Sequence, residues 1–229
     1  MMTSTTLPTA TPSCDALGVL NRLLSGINVF SLKLLNMSSR GQNRAGFVLA
    51  GGKSTRMGAD KVFLKVDGQT LLDRALVLAS SVCGYVRIVG DPAKFSTLET
   101  KAIGDIFSGC GPLAGIHAAL AHSPCELNLM LAVDMPLVSA SLLSFLFAAA
   151  DRGAALVTVP RINEQLQPLC AVYRREFAAK AEAALQAGSY KIEAAFSGVS
   201  IRVIEEAELV AAGFSARSFF NMNTPQDVP

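Results

Sequence analysis

Short apolar runs alternate with longer, periodically apolar segments from about residue 46 to the end of the chain. Runs of about four to eight apolar residues are typical of buried strands, whereas apolar residues three or four positions apart are typical of helices that bury one face. The alternation predicts an α/β fold, a single Rossmann-like domain in which a mostly parallel open sheet carries helices on both faces. The predicted strands are 47–50, 85–89, 127–133, 155–159, 169–173 and 201–204, and the predicted helices are 70–80, 111–121, 138–150 and 176–186.

Polar and special residues mark where three of these helices begin. Thr70, with Asp73 three positions later, is typical of a helix cap, and Pro112 after Gly111 suits a first helical turn. Either Ser139 or Ser141 caps the apolar helix 138–150. At this length that helix is too short to cross a membrane, so we expect it to be buried in the core.

The first 44 residues differ in composition from the rest, so we predict an extension at 1–44 and a catalytic domain at 45–229. An amphipathic helix is plausible at 15–35, but Arg22 and Lys33 interrupt it too often for a membrane span. We interpret the extension as non-functional, with a start at Met37, and keep an organelle transit peptide as the alternative.

The composition agrees with a compact cytoplasmic enzyme. Of the 229 residues, 51% are hydrophobic and 17% charged, which is enough apolar material for one ordinary domain. A net charge of +2 without a basic stripe argues against a nucleic-acid partner, and we expect no membrane partner. The five cysteines form no Cys-x-x-Cys pair, which fits reduced thiols in the cytosol.

Residues 49–61, with the sequence LAGGKSTRMGADK, follow the first predicted strand and have the character of a phosphate-binding loop. Gly51 and Gly52 let backbone amides approach an anion closely, since neither residue has a Cβ atom. Lys53, Arg56 and Lys61 add three positive charges. The loop therefore suits a triphosphate.

Two familiar phosphate motifs do not account for this loop. A Walker A loop would need glycine at Phe47, and the dinucleotide fingerprint fails because Gly51 is followed directly by Gly52. The later pair Gly109 and Gly111 also lacks its third glycine, because Ala114 stands there.

The loop instead resembles the signature loop of the sugar-phosphate and cofactor nucleotidyltransferases, and its Asp-Lys ending resembles the molybdenum cofactor guanylyltransferases. Further segments with the same resemblance are GPLAGI at 111–116, VDMP at 133–136, QPLCAVY at 167–173 and NMNTP at 221–225. The chain departs from the family pattern by having Val133 where cysteine is common and by stopping at Pro229, where relatives continue into a helix. The resemblance implies the nucleotide-diphospho-sugar transferase fold.

The resemblance also implies roles for individual residues around GTP. Gly51 and Gly52 would hold the β- and γ-phosphates together with Arg56, and Lys61 would reach the α-phosphate. Leu49, Ala50 and Gly51 match positions where relatives contact guanine through backbone groups, and Asp105 matches an aspartate near the nucleotide.

Asp134 is the expected metal ligand and, with Arg56 and Lys61, one of three expected catalytic residues. It follows an apolar strand, and in open α/β sheets ligands lie beyond the carboxyl ends of the strands. Mg²⁺ is the expected cofactor, because it needs only one or two carboxylates besides phosphate oxygens and water.

Gln167, Asn221 and Asn223 would contact the molybdopterin acceptor by the same resemblance. The alternative for the two asparagines is that 221–225 is simply a turn and a helix cap. His117 and His122 are interpreted as core and helix-end residues and not as ligands.

The implied reaction is transfer of GMP from GTP to molybdopterin-bound molybdenum cofactor, with release of pyrophosphate. Two alternatives stay open: a related enzyme that uses CTP or another phosphorylated acceptor, and a catalytically silent protein that binds and delivers the cofactor. Delivery proteins for the cofactor are further expected partners, and we expect a monomer.

Overall fold

Strands and helices alternate along the part of the chain that this computed structural model describes, residues 43–51 and 60–222. The strands are β1 (Arg44–Leu49), β2 (Lys65–Val66), β3 (Gln69–Thr70), β4 (Tyr85–Val89), β5 (Ala102–Ile103), β6 (Leu127–Ala132), β7 (Val157–Ile162), β8 (Gln165–Leu166), β9 (Cys170–Arg174) and β10 (Ile201–Ile204). The α-helices are α1 (Leu71–Ser80), α2 (Pro112–His122), α3 (Ala140–Asp151), α4 (Phe177–Gln186) and α5 (Glu206–Ala211), and short 3-10 turns lie at Lys61–Phe63, Glu193–Phe196 and Ala216–Phe219.

The main sheet of the described residues has the strand order β10-β7-β9-β6-β1-β4-β5, with β8 paired to the end of β7. β1 lies between β4 and β6 and runs parallel to both. β4 and β5 are parallel, as are β7 and β10. The predicted α/β fold with a mostly parallel sheet is therefore confirmed.

β9 is antiparallel to both of its neighbours, β6 and β7. The cause is the short connection from β7, which turns back at Asn163 and Glu164, both with positive φ (47° and 62°), into β8. A parallel neighbour would need a crossover of a dozen or more residues. This reversal brings the start of β9 to the edge where β6 ends.

Apolar side chains cover both faces of the sheet. On one face Leu129 and Leu131 of β6 pack with the apolar sides of α1, α3 and α5. On the other face Met130 and Phe47 pack with α2 and α4. Every residue of β6 is buried, as expected for a central strand whose two faces are both covered.

The helix starts follow the predicted chemistry. The Thr70 hydroxyl oxygen accepts a 3.0 Å hydrogen bond from the Asp73 amide at the start of α1. Of the two candidate serines, Ser139 caps α3, because its hydroxyl accepts from the Leu142 amide at 3.2 Å. Gly111 precedes α2 with φ of 75°, a conformation that glycine adopts without strain.

Several boundaries differ from the prediction. β1 begins at Arg44, three residues before the predicted start, and β7 runs from Val157 to Ile162 instead of 155–159. The two-residue strands β2, β3, β5 and β8 are too short to produce a periodic signal. All described residues belong to one compact unit, Gly41–Pro229. The predicted 1–44 extension and its helix at 15–35 lie, apart from residues 43 and 44, outside the described residues.

None of the helices in the described ranges is long and apolar enough to cross a membrane.

Candidate active site

The carboxyl ends of three neighbouring parallel strands form the candidate site. In the sheet register Leu49 at the end of β1 lies beside Val89 of β4 and Ala132 of β6. The backbone pairing continues past the strands: the Ala50 amide donates to the Val89 carbonyl at 2.9 Å, and the Val133 amide donates to the Leu49 carbonyl at 3.2 Å. Residues 49–51 and Asp134 therefore lie on adjacent chain segments, as the sequence predicted.

Lys61 and Asp134, separated by 73 positions in the chain, form an ion pair with 2.7 Å between Nζ and Oδ2. Their side chains are only 13% and 26% exposed. Asp134 follows β6, and its carbonyl accepts a 2.8 Å hydrogen bond from the Met222 amide. Two of the three predicted catalytic residues thus meet at the carboxyl edge of the sheet.

Asp105 lies over the first turns of α2, at the same edge. Its Oδ1 atom is 3.6 Å from the point where a Cβ atom on Gly115 would lie, and that point is 3.3 Å from the Leu49 side chain and 3.2 Å from that of Val89. Partial burial raises the pKa of the Asp105 carboxyl. The structure therefore places Asp105 beside the residues predicted to contact the base.

The predicted acceptor residues Gln167 and Asn221 reach this edge through two different segments. Gln167 precedes β9, whose start is tied to the end of β6 by a 2.7 Å hydrogen bond from the Ala132 amide to the Leu169 carbonyl. Asn221 is exposed and directly precedes Met222, the residue bonded to the Asp134 carbonyl. Gly52, Arg56 and Asn223 lie outside the described residues, so their roles stay predictions.

Comparison with known proteins decides the family. A model described as the MobA-like NTP transferase domain matches residues 46–199. The chain belongs to the MobA-like NTP transferase family. The predicted family resemblance is thereby confirmed.

Relatives of this MobA-like chain carry names from molybdenum cofactor synthesis. A probable molybdenum cofactor guanylyltransferase of Pelotomaculum thermopropionicum is 33% identical over 80% of this chain and 89% of its own length. One from Natronomonas pharaonis is 36% identical, over 81% and 95%. Among solved structures, molybdopterin-guanine dinucleotide biosynthesis protein A from Archaeoglobus fulgidus has a TM-score of 0.71 at 28% identity, over 80% and 94%.

The same architecture occurs in a cytidylyltransferase. The 2-C-methyl-D-erythritol 4-phosphate cytidylyltransferase from Thermus thermophilus has a TM-score of 0.58 at 18% identity, over 80% of this chain and 94% of that one. This likeness shows the shared fold and carries no information about the substrate of the MobA-like chain.

Two glycines of the MobA-like domain, Gly90 and Gly115, allow close packing at the site. The sequence alone assigned neither of them a role. A Cβ atom on Gly90 would lie 2.9 Å from the Phe95 ring and 3.5 Å from the Ala50 carbonyl group. Gly115 similarly allows α2 to approach Leu49 and Val89. The glycine inside an otherwise apolar helix was the available signal for Gly115, because such a residue indicates close packing.

The ion pair between Lys94 and Asp60 was also missed. Nothing in the sequence indicates it, because Lys94 stands in the irregular segment after β4 and only the tertiary fold brings it to Asp60.

Asp134 is the described residue that the sequence predicted to hold a metal ion. Within residues 43–51 and 60–222, no three His, Cys, Asp or Glu side chains come together. The Asp134 carboxylate already accommodates a cation, the Lys61 ammonium group. A single carboxylate at a strand end is compatible with Mg²⁺, which takes its remaining ligands from phosphate oxygens and water.

The two histidines lie where the sequence predicted. His117 is buried in α2 with its ring 5.2 Å from that of Phe107, and its Nδ1 atom has no hydrogen-bond partner. His122 ends α2, with Nδ1 2.8 Å from the Ala118 carbonyl oxygen.

Val133 stands where the family pattern commonly has cysteine. The side chain is buried in the apolar layer, although the residue lies in the turn that follows β6 and not in that strand, which was predicted as 127–133.

Proposed function

We propose that this protein transfers the guanylyl group of GTP to a phosphate of the molybdenum cofactor, releasing pyrophosphate and forming the guanine dinucleotide cofactor. The observation that carries this proposal is the Lys61–Asp134 pair beside Leu49–Gly51, in a chain of the MobA-like NTP transferase family. The names of its guanylyltransferase relatives supply the nucleotide and the acceptor.

The chemistry is an in-line displacement at the α-phosphorus. An acceptor phosphate oxygen forms the new P–O bond while the bond between the α-phosphorus and the bridging oxygen breaks, and that oxygen leaves with pyrophosphate. Negative charge accumulates around the α-phosphate, so catalysis requires positioning and positive charge. Lys61 is the described residue best placed to supply that charge, and Arg56 is proposed to assist it on the β- and γ-phosphates.

Asp134 is proposed to hold Mg²⁺ at this edge. The bound cation would neutralise phosphate oxygens, including those of the departing pyrophosphate. What supports the assignment is the place of Asp134, a carboxylate just after the end of β6 whose Oδ2 atom pairs with the positively charged Lys61.

Leu49, Ala50 and Gly51 are proposed to contact the guanine through their backbones, with Asp105 nearby. Because the Ala50 amide is already bonded to the Val89 carbonyl, a base contact by this residue would come from its carbonyl oxygen. A carbonyl accepts hydrogen bonds from the N–H groups on the edge of guanine.

Gln167, Asn221 and Asn223 are proposed to bind the molybdopterin acceptor. The first two lie on segments bonded to the chain around Asp134, so an acceptor bound by them would lie beside the proposed phosphate site. We further propose that the protein is a cytoplasmic monomer and that it passes its product to cofactor delivery proteins.

The test is pyrophosphate release from GTP, ATP, CTP or UTP, each with Mg²⁺ and molybdopterin-bound molybdenum. We expect turnover with GTP and a preference of roughly 10²-fold or more, because a site that hydrogen-bonds one base leaves its own polar groups unpaired with another. Preference for CTP would replace guanylyl transfer with cytidylyl transfer. Tight cofactor binding without pyrophosphate release for any nucleotide would instead support the delivery protein.

A further inference from the structure

Lys94 contacts groups that adjoin the active site but is not in any of the sequence motifs. Its ammonium group forms an ion pair with Asp60 and lies 5.0 Å from the centre of the Phe95 ring and 5.7 Å from that of Phe63. The Lys94 side chain is 24% exposed. A cation held by a carboxylate and two aromatic faces has fewer accessible positions than an ordinary surface lysine.

Asp60 connects Lys94 to the catalytic lysine. Its carboxylate accepts from the Val62 amide at 3.4 Å, and its carbonyl accepts from the Phe63 amide at 3.0 Å. These bonds form the short 3-10 turn Lys61–Phe63, which starts with the lysine paired to Asp134. A contact that fixes Asp60 therefore also fixes the backbone from which Lys61 extends.

The segment that carries Lys94 is itself anchored to the start of the phosphate-binding loop. The Gly90 amide donates to the Ile103 carbonyl at 2.9 Å, and Phe95 is buried against Gly90 beside the Ala50 carbonyl group. Residues 90–95 consequently contact the chain at Ala50 and again at Asp60. These positions flank residues 52–59.

We propose that Lys94 is a positioning residue for Lys61: through Asp60 it holds the turn that aims the Lys61 ammonium group at the reacting phosphate. The effect on turnover rests on the proposed nucleotidyl transfer. The path from Lys94 to Lys61 runs through the ion pair with Asp60 and the short turn that Asp60 begins.

A partly exposed ion pair contributes little to overall stability, so the fold should tolerate the loss of the Lys94 charge. A displaced Lys61 would stabilise the negative charge that builds on the α-phosphate in the transition state less well. We therefore expect Lys94→Met to lower kcat roughly 10-fold while KM for GTP changes by less than about twofold. Lys94→Arg, which keeps both the charge and the aromatic contact, should restore most of kcat.

A double-mutant cycle distinguishes positioning from a general structural effect. In a Lys61→Met background, Lys94→Met should lower kcat little further, because the group that it positions is gone. Arg202→Met is the matched control, since it breaks another exposed ion pair, with Glu208, on the outer strand β10. Equal losses from Lys94→Met with and without Lys61, or unchanged kcat with Lys61 present, would overturn the proposal.

A second measurement needs no turnover, so it separates failure of this inference from failure of the proposed function. In nucleotide-free protein, urea unfolding of Lys61→Met, Asp134→Asn and the double variant gives the coupling between the two side chains. We expect Lys94→Met to weaken that coupling severalfold and Arg202→Met to leave it unchanged. Undiminished coupling without the Lys94 charge would refute positioning by Lys94, whichever nucleotide the enzyme uses.

Discussion

At the scale of single residues, the Lys61–Asp134 ion pair is the main feature of the candidate site. The Lys61–Asp134 pair brings a positive and a negative group to one point, 2.7 Å apart and mostly shielded from water. Each group has a different proposed partner in the loaded site, a phosphate for Lys61 and a metal ion for Asp134. We therefore expect Lys61 and Asp134 to separate when substrate and metal bind.

Asp134→Asn tests the carboxylate. The substitution keeps the shape but removes the charge, so we expect pyrophosphate release to fall on the order of 10²-fold or more, about 3 kcal/mol of transition-state stabilisation. Loss of this mostly shielded ion pair should lower the unfolding free energy by about 1 to 3 kcal/mol. Steady-state kinetics and urea unfolding on one preparation check both; full activity would eliminate Asp134 as metal ligand, and collapse of the fold would make it structural.

Lys61→Met tests whether the Lys61 ammonium group and a metal ion are alternative partners of the Asp134 carboxylate. If Asp134 holds a metal ion, the paired Lys61 ammonium competes with that ion for the carboxylate, so removing the ammonium should tighten Mn²⁺ binding severalfold while turnover falls. Mn²⁺ titration of nucleotide-free protein, with the Lys61→Met/Asp134→Asn double variant as control, provides the measurement. Weaker Mn²⁺ binding by Lys61→Met would contradict the competition.

Because His117 is buried, we expect the unfolding free energy to depend on pH. Burial lowers its pKa below the usual 6.5, an effect that Glu182 of α4 opposes and His122 reinforces. The unfolded chain then binds more protons between the two pKa values, so this contribution is complete above pH 6.5 and is lost as pH falls towards the folded value. We expect unfolding free energy to depend less on pH below about pH 6.5 in His117→Leu; an unchanged slope would exclude His117 as its source.

At the scale of elements, the close approach of α2 to the ends of β1 and β4 depends on Gly115. Gly115→Ala would place a Cβ atom 3.2 Å from Val89 and 3.3 Å from Leu49, so α2 or Leu49 must shift. Alanine gains up to about 1 kcal/mol in helix propensity, which offsets part of this strain. We therefore expect little net change in thermal midpoint but a severalfold higher KM for GTP.

The matched control for this prediction is Gly153→Ala. Gly153 has open space around its Cβ position, so KM should stay unchanged there. An equal KM for Gly115→Ala and the wild type would show that the packing does not reach the nucleotide.

The elements also show which local signals were sufficient. The Thr70 cap and the boundaries of β4 and β10 were predicted correctly, because hydroxyl capping and compact apolar runs are local properties. The direction of β9 was not predicted, because it depends on the Asn163–Glu164 turn and on which strand receives the returning chain.

At the scale of the whole molecule, Arg44 begins β1 and ties it to the rest of the described core. Arg44 pairs with Asp151 at 2.7 Å and lies 4.5 Å from the Phe147 ring centre, which ties the first strand to α3. A protein that starts at Met37 should therefore keep its thermal midpoint within a few degrees and its kcat within about twofold. A start at Val48, which removes most of β1, should abolish cooperative unfolding. Loss of stability already with the Met37 start would show that the extension contributes to the fold.

By itself, the sequence determined the α/β class and the apolar central strand β6, and it predicted a phosphate-binding loop and a metal-ligand role for Asp134. These follow from the spacing of apolar residues, from glycine and charge in one continuous segment, and from a carboxylate directly after a buried strand. Only the tertiary structure decided that Lys61 pairs with Asp134, that Lys94 pairs with Asp60, and that Gly115 brings Asp105 close to Leu49. Such contacts depend on the register and direction of strands far apart in the chain, and no local pattern specifies these.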